Sequence, residues 1–177
     1  TFYDSNVLKN VEGLLTDQYD IYYGDSHWIK KNSDRKRTYP EKLSFSFFYT
    51  STLSHQSSFI RKQLFYDHFF YKEEYRIASD WDFFIYTICH ANVPYKYLAL
   101  PVSNFDFFGM SSVDTYKKAT EEERRQTIER YFPLFAEDYK AVSELNSKRI
   151  RQVFHIKQFP VAWKILKSTI SVLLVFL

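Results

Sequence analysis

Glycine is scarce: three residues in 177, at positions 13, 24 and 109, against a usual share of about 7%. Scattered like this, they cannot build a glycine-rich phosphate loop of the dinucleotide or P-loop type. Cysteine is down to one, Cys89. That excludes a disulfide within the chain and a cysteine-based zinc cluster, and it points to a reducing compartment. No sign of charge dominates: 24 Lys plus Arg stand against 21 Asp plus Glu, a net +3, too mild to demand a nucleic-acid partner. The uncharged stretch Ser168 to Leu177 is ten residues long, too short for a bilayer, which needs about 20. No internal repeat, low-complexity segment or signal peptide stands out. The chain opens on Thr1 and enters a helix almost at once, so it is expected to be a fragment or a trimmed piece.

Aromatics fill the space that glycine leaves. They make up 20% of the chain, with 18 Phe and 15 Tyr, supplying core volume and flat surfaces for stacking. Apolar content of 45% and the length suit one domain with a proper core.

Periodicity places the elements. Val7, Leu8, Val11, Leu14 and Leu15 share one helical face behind a cap at Asp4 or Ser5. Residues 19–25 read as a strand, 30–37 as a solvated basic loop, Pro40 onward as a short helix with Leu43, Phe47 and Phe48. His55–Ile60 reads as a strand and Arg61–Phe65 as a short helix. Ser79 is expected to cap the best-defined helix, with Asp82 at capping-box spacing and Trp81, Phe84, Ile85, Ile88 and Cys89 as the buried stripe. Cys89 is then inert core. The helix stops before Pro94. A strand kinked at Pro101 spans 95–105, and helices are expected at 115–131 and 134–146, split by Pro133. From Lys140 to Lys167 seven cations meet one acid, Glu144, so this tail carries +6 and the rest −3.

Three places could carry chemistry. In Ile77-Ala78-Ser79-Asp80-Trp81-Asp82 the two acids lie on different helix faces and cannot act as a pair. Asp82 suits the capping box, whereas Asp80, at the first helical position, is free to project into a cleft as an ionised general base. An acid that only favours the helix start would look the same. In Ser54-His55-Gln56-Ser57-Ser58, strand alternation turns His55 and Ser57 one way and Gln56 and Ser58 the other. Imidazole and amide suit sugar hydroxyls, and a satisfied polar strand end is the plainer account. Asp25 ends a strand, where open α/β sheets hold ligands, and a turn-forming Gly-Asp fits equally. The five histidines show no metal-ligand spacing, and no nucleophile elbow occurs.

In order, Tyr23-Gly24-Asp25, Pro40-Glu41-Lys42-Leu43, His55-Gln56-Ser57-Ser58-Phe59-Ile60-Arg61, Ile77 to Phe84, Ser103-Asn104-Phe105-Asp106 and Gly109-Met110-Ser111-Ser112 resemble the later part of a bacterial family 2 glycosyltransferase of the GT-A fold. The resemblance covers roughly residues 1–135. It implies an α/β fold, a partial GT-A domain without its nucleotide-binding half, organised as an acceptor-side part at 1–112, a charged helical extension at 113–146 and basic, apolar helices at 147–177. It implies inverting transfer of a sugar from a nucleotide-sugar to the hydroxyl of a saccharide or lipid-linked saccharide, in surface polysaccharide biosynthesis. Asp80 matches the aspartate of the family's Glu-Asp-type motif, the general base, with Ser79 in place of the Glu. His55 and Gln56 match a segment on the acceptor side, and Gly109 and Ser111 belong to a loop near the active site. No Gln-x-x-Arg-Trp motif follows, which disfavours a processive synthase.

The family's divalent metal, Mg or Mn, is held by an Asp-x-Asp motif that normally precedes a segment like Thr1-Phe2-Tyr3-Asp4, so its ligands are expected outside this chain. The alternative expectation is a non-catalytic remnant that only binds. The basic tail, with Trp163 and the apolar residues from Ile165, suggests peripheral contact with the inner face of the cell membrane from a cytoplasmic position.

Overall fold

The computed structural model describes residues 1–30, 33–106, 116–138 and 147–176, and shows a mixed α/β fold. The organising element is β1 (Ile21–Lys30), whose aromatic and β-branched start favours an extended, buried strand. Along one edge it pairs antiparallel with β2 (Ser33–Arg37) at its C-terminal half and with β3 (Ser58–Ile60) at its N-terminal half. β4 (Tyr95–Asp106) runs parallel to it. The N-terminal segment adds to β4, with Tyr3 N–H donating to Val102 O at 2.8 Å and Asn104 N–H to Thr1 O at 2.8 Å. The expected basic loop at 30–37 is therefore corrected: its second half is an edge strand. Asp34, Arg35 and Lys36 carry no apolar alternation because they face solvent, as residues of edge strands commonly do.

The β1–β4 ladder is irregular where it matters. Tyr23 pairs with Tyr97, Asp25 with Pro101 and Ser26 with Ser103, so β4 advances six residues while β1 advances three. Ala99 takes up the slack with φ of 51°, a conformation that costs a side chain about 1–2 kcal/mol. Gly24 is required here: a Cβ on it would lie 2.5 Å from Val102 Cγ2 and 2.6 Å from the Leu100 carbonyl oxygen. Tyr23 and Ser26, three residues apart, both meet Tyr39. The two rings lie 6.3 Å apart and the hydroxyls of Ser26 and Tyr39 3.4 Å apart. A regular strand would turn the two residues to opposite faces.

α1 (Val7–Glu12) buries Val7 and Val11 against Tyr22, Leu98 and Val102. Leu8, Leu14 and Leu15 are exposed, so the expected five-residue face is narrower. The helix ends at Gly13, before the face could continue. Asp4 Oδ1 accepts the Asn6 N–H at 2.7 Å, but no side chain caps the helix proper. The second core holds α2 (Phe45–Thr50), α3 (Lys62–Asp67) and α4 (Ser79–Ile85). Trp81, Phe83, Phe84 and Ile85 are buried there with Tyr23, Phe48 and Leu53. The Trp81 indole N–H donates to Phe48 O at 2.7 Å and Ser51 O at 3.1 Å. α4 runs on as a wider π turn, Tyr86–His90. Cys89 is half-buried and burial pushes its thiol up to about 12, in keeping with inert packing.

α5 (Lys117–Tyr131) buries Glu123, Thr127 and Ile128. The chain divides into two compact units, Thr1–Phe132 and Pro133–Leu177, so α5, expected in a separate extension at 113–146, belongs with the sheet. In the second unit, residues 133–138 are helical, and α6 (Lys148–Ile156) and α7 (Pro160–Val175) follow. Neither α6 nor α7 has a buried residue. Among the described residues no helix is long and apolar enough to cross a membrane.

Candidate functional site

The start of α4 is built differently from its sequence pattern. Ser79 is the first helical residue rather than the cap, and its buried hydroxyl finds no partner among the described residues. The donors entering the helix are met from α5: Glu123 Oε1 accepts the Arg76 N–H at 2.7 Å, and Oε2 accepts those of Ile77 and Ala78 at 3.1 and 2.8 Å. This long-range carboxylate replaces the expected capping box. Asp82 is fully buried instead, where its Oδ1 accepts from the Lys72 ammonium at 2.9 Å and the Thr127 hydroxyl at 2.6 Å. Burial works against the Lys72 charge, but the bond to Asp82 and its negative charge outweigh that and raise its pKa.

Asp80 is thereby left for the surface. Its Oδ1 accepts the Trp81 N–H at 2.7 Å, and His55 Nδ1–H donates to Oδ2 at 3.1 Å. The Asp80 side chain is 25% exposed and that of His55 51%, so both can be reached from solvent. The hydrogen bond to Asp80 raises the His55 pKa; burial opposes it, and the negative charge of Asp80 adds to the rise. His55 is aimed by a single 3₁₀ turn, His55–Ser57, and not by the expected strand. The expected sharing of a face by His55 and Ser57 therefore fails. Ser57 turns inward, its hydroxyl 2.9 Å from that of Ser26 and 2.6 Å from that of Ser103.

His55 and Asp80 border a cavity of about 500 Å³, within the roughly 300–1,000 Å³ usual for small-ligand sites. Trp28, Tyr39, Tyr71, Trp81 and Phe105 give it aromatic walls, and Arg37 and Arg124 also line it. The Arg37 guanidinium lies 4.8 Å from the Trp28 ring and 5.0 Å from that of Tyr39, and donates to Ser51 Oγ and Thr52 O at 2.5 and 2.9 Å. Burial, with the nearby charge of Asp80, raises the Tyr71 pKa, which keeps its phenol a neutral donor or acceptor.

Of the sequence candidates, then, Asp80 and His55 come together. Gln56 is exposed and does not line the cavity. Asp25, expected to face a ligand, is corrected to an interior brace with a side chain 1% exposed. It accepts from the Tyr97 hydroxyl at 2.6 Å and the Tyr39 N–H at 3.3 Å, and pairs with the Lys36 ammonium at 2.9 Å. Gly109 and Ser111 lie outside the described residues. Sequence reasoning missed Arg37, Arg124 and the aromatic walls. Arg124 did leave a signal: a cation four residues from Ile128, on the buried stripe of an otherwise charged helix. Among the described residues, no group of three or more His, Cys, Asp or Glu side chains is placed to hold a metal ion.

No protein-family model matches the chain, and neither a curated protein nor a solved structure matches it.

Proposed function

We propose that the sheet unit is the acceptor-side part of an inverting glycosyltransferase of the GT-A type, with Asp80 as the general base. The observation that carries this reading is the Asp80–His55 pair, 3.1 Å apart at the edge of an aromatic-walled cavity. Aromatic faces stack on the apolar faces of sugar rings, and a reachable carboxylate can take a hydroxyl proton. In the proposed step the acceptor O–H gives its proton to an Asp80 oxygen as the hydroxyl oxygen attacks the anomeric carbon. The bond from that carbon to the phosphate oxygen of the donor breaks, and the nucleoside diphosphate leaves with the electron pair. Attack from the opposite side inverts the anomeric centre. His55 positions Asp80 by occupying Oδ2.

The test is nucleoside diphosphate release by the complete enzyme, this chain joined to the nucleotide-binding half that the resemblance implies, from a panel of nucleotide-sugars with saccharide and lipid-linked saccharide acceptors. Asp80→Asn is expected to cut turnover by about 10²-fold or more while leaving the thermal midpoint near that of the parent. Undiminished turnover in Asp80→Asn removes the assigned base. Saccharide binding with no transfer from any donor favours the alternative reading, a non-catalytic binding domain.

The same reading has a location. We propose that α6 and α7 rest on an anionic lipid surface on the cytoplasmic side of the membrane. Supporting this, residues 147–176 hold six Lys or Arg and no acid, while Phe154, Phe159, Ile165, Leu173 and Phe176 are exposed. Cations beside an apolar surface complement anionic headgroups over acyl chains. Co-sedimentation of the full chain with phosphatidylglycerol vesicles, but not with phosphatidylcholine vesicles, is expected. Equal partitioning onto both ends the electrostatic part of the proposal.

A further inference from the structure

The cavity is more cationic than the proposed chemistry needs. Arg124 reaches it from α5, its guanidinium 4.8 Å from the Trp81 ring. Its Nε is buried, and among the described residues it has no hydrogen-bond partner and the side chain forms no salt bridge. A buried donor without a partner is uncommon and calls for an explanation, the more so on a guanidinium, whose five N–H groups suit oxyanions. Arg37, on the same cavity, spends one nitrogen on Ser51 and Thr52 and also forms no salt bridge among the described residues. Among the described residues the cavity is lined by two guanidiniums, the titratable His55 imidazole and a single carboxylate, Asp80, which already accepts from His55 and the Trp81 N–H.

We infer that this cavity takes a saccharide bearing an oxyanion, a carboxylate or a phosphate, which Arg124 receives while Arg37 adds long-range attraction. Burial lowers the Arg124 pKa, with the Asp80 charge working the other way. The guanidinium has shed much of its water and regains its lost bonds only when a partner arrives. Trp81, Trp28 and Tyr39 back the two cations with ring faces, so the oxyanion would be met by donors already held in place. This inference rests on the sugar-binding part of the proposed function and names the class of acceptor.

The test is calorimetric titration of the full chain with D-glucose, D-glucuronate, D-glucose 6-phosphate and inorganic phosphate. The two acidic sugars are expected to bind about tenfold or more tighter than glucose, the range of a hydrogen bond to a charged group. Arg124→Gln should erase that preference, bringing the two acidic sugars to the affinity of glucose in the same variant. Arg124→Lys, which keeps the charge without the fork, should retain part of it. The comparison among ligands needs no variant, so a failure of Arg124→Gln to fold does not blunt the test. If glucose matches glucuronate and glucose 6-phosphate, the inference is overturned while sugar binding stands. Should inorganic phosphate match glucose 6-phosphate, with glucose and glucuronate failing to bind, the saccharide half falls and takes the transferase reading with it.

Discussion

The two units bury their side chains in opposite ways. Every buried apolar residue of the described chain lies in Thr1–Phe132, whereas α6 and α7 have none. The same apolar residue types are present in both, so composition does not separate them; what does is whether a second layer covers the face. In the first unit, sheet and helices cover each other, and the buried Asp82 is paired with Lys72 and Thr127. In the second, Phe154, Ile165 and Leu173 stay in contact with solvent on a stretch that holds six Lys or Arg and no acid. One arrangement stabilises a fold, and the other suits a surface still to be met.

The sharpest way to break that contrast is Trp81→Ala. It removes a buried indole and its two backbone hydrogen bonds and should cost about 3–5 kcal/mol, read from the shift in denaturant midpoint. Glu123→Ala comes next, at roughly 2–3 kcal/mol, because three backbone donors lose one acceptor. Hydrogen exchange at Arg76, Ile77 and Ala78 should quicken in that variant and stay unchanged in α1. Gly24→Ala should cost about 1–3 kcal/mol by overpacking against the Leu100 carbonyl, again by denaturant midpoint. A neutral result there would mean that the β1–β4 irregularity relaxes freely.

The His55–Asp80 pair gives a smaller, pH-dependent effect. His55 has a folded pKa raised above its ordinary 6.5. Its contribution is therefore fully present below about pH 6.5 and lost as pH rises through the folded value. Half-exposed as it is, the pair should contribute no more than about 0.5 kcal/mol. The stability difference between the parent and His55→Ala, followed from pH 5 to 9, should shrink as pH rises; growth with pH would contradict it. Last, Leu173→Ser should change stability by less than about 0.5 kcal/mol yet weaken binding to anionic vesicles. If it destabilised the chain as Trp81→Ala does, the face would be core, and the contrast between units would collapse.

Local chemistry made α3, α4 and α5 legible, because apolar spacing with Pro94 and Pro133 marks their extents, whereas α2 starts at Phe45 behind its cap Ser44 and not at Pro40 as expected. β2 escaped because an edge strand with solvated Asp, Arg and Lys side chains carries the pattern of a loop. The capping of α4 escaped because its acceptor, Glu123, stands more than forty residues downstream, and no window that short can see it. The site shows the same division. Asp80 and His55 were readable from the chain, since each belongs to a local motif. Arg37, Arg124, Trp28 and Phe105 come from four elements and meet only through the sheet and the packing of α5. Asp25 misled for a related reason: a strand-end acid looks the same whether it faces water or three neighbours inside.

The ladder slip beside Gly24 has an outcome reaching beyond its own few residues. It reverses the parity of β1, so the indole of Trp28 enters the cavity wall while the imidazole of His27 turns away, its ring 5.7 Å from that of Tyr3. Trimming β4 until the two strands kept step would swap those rings without altering a single residue of β1. The wall would then exchange a flat stacking plate for a titratable one. In this molecule, wall chemistry depends on how many residues a neighbouring strand spends in passing, as well as on which residues it carries.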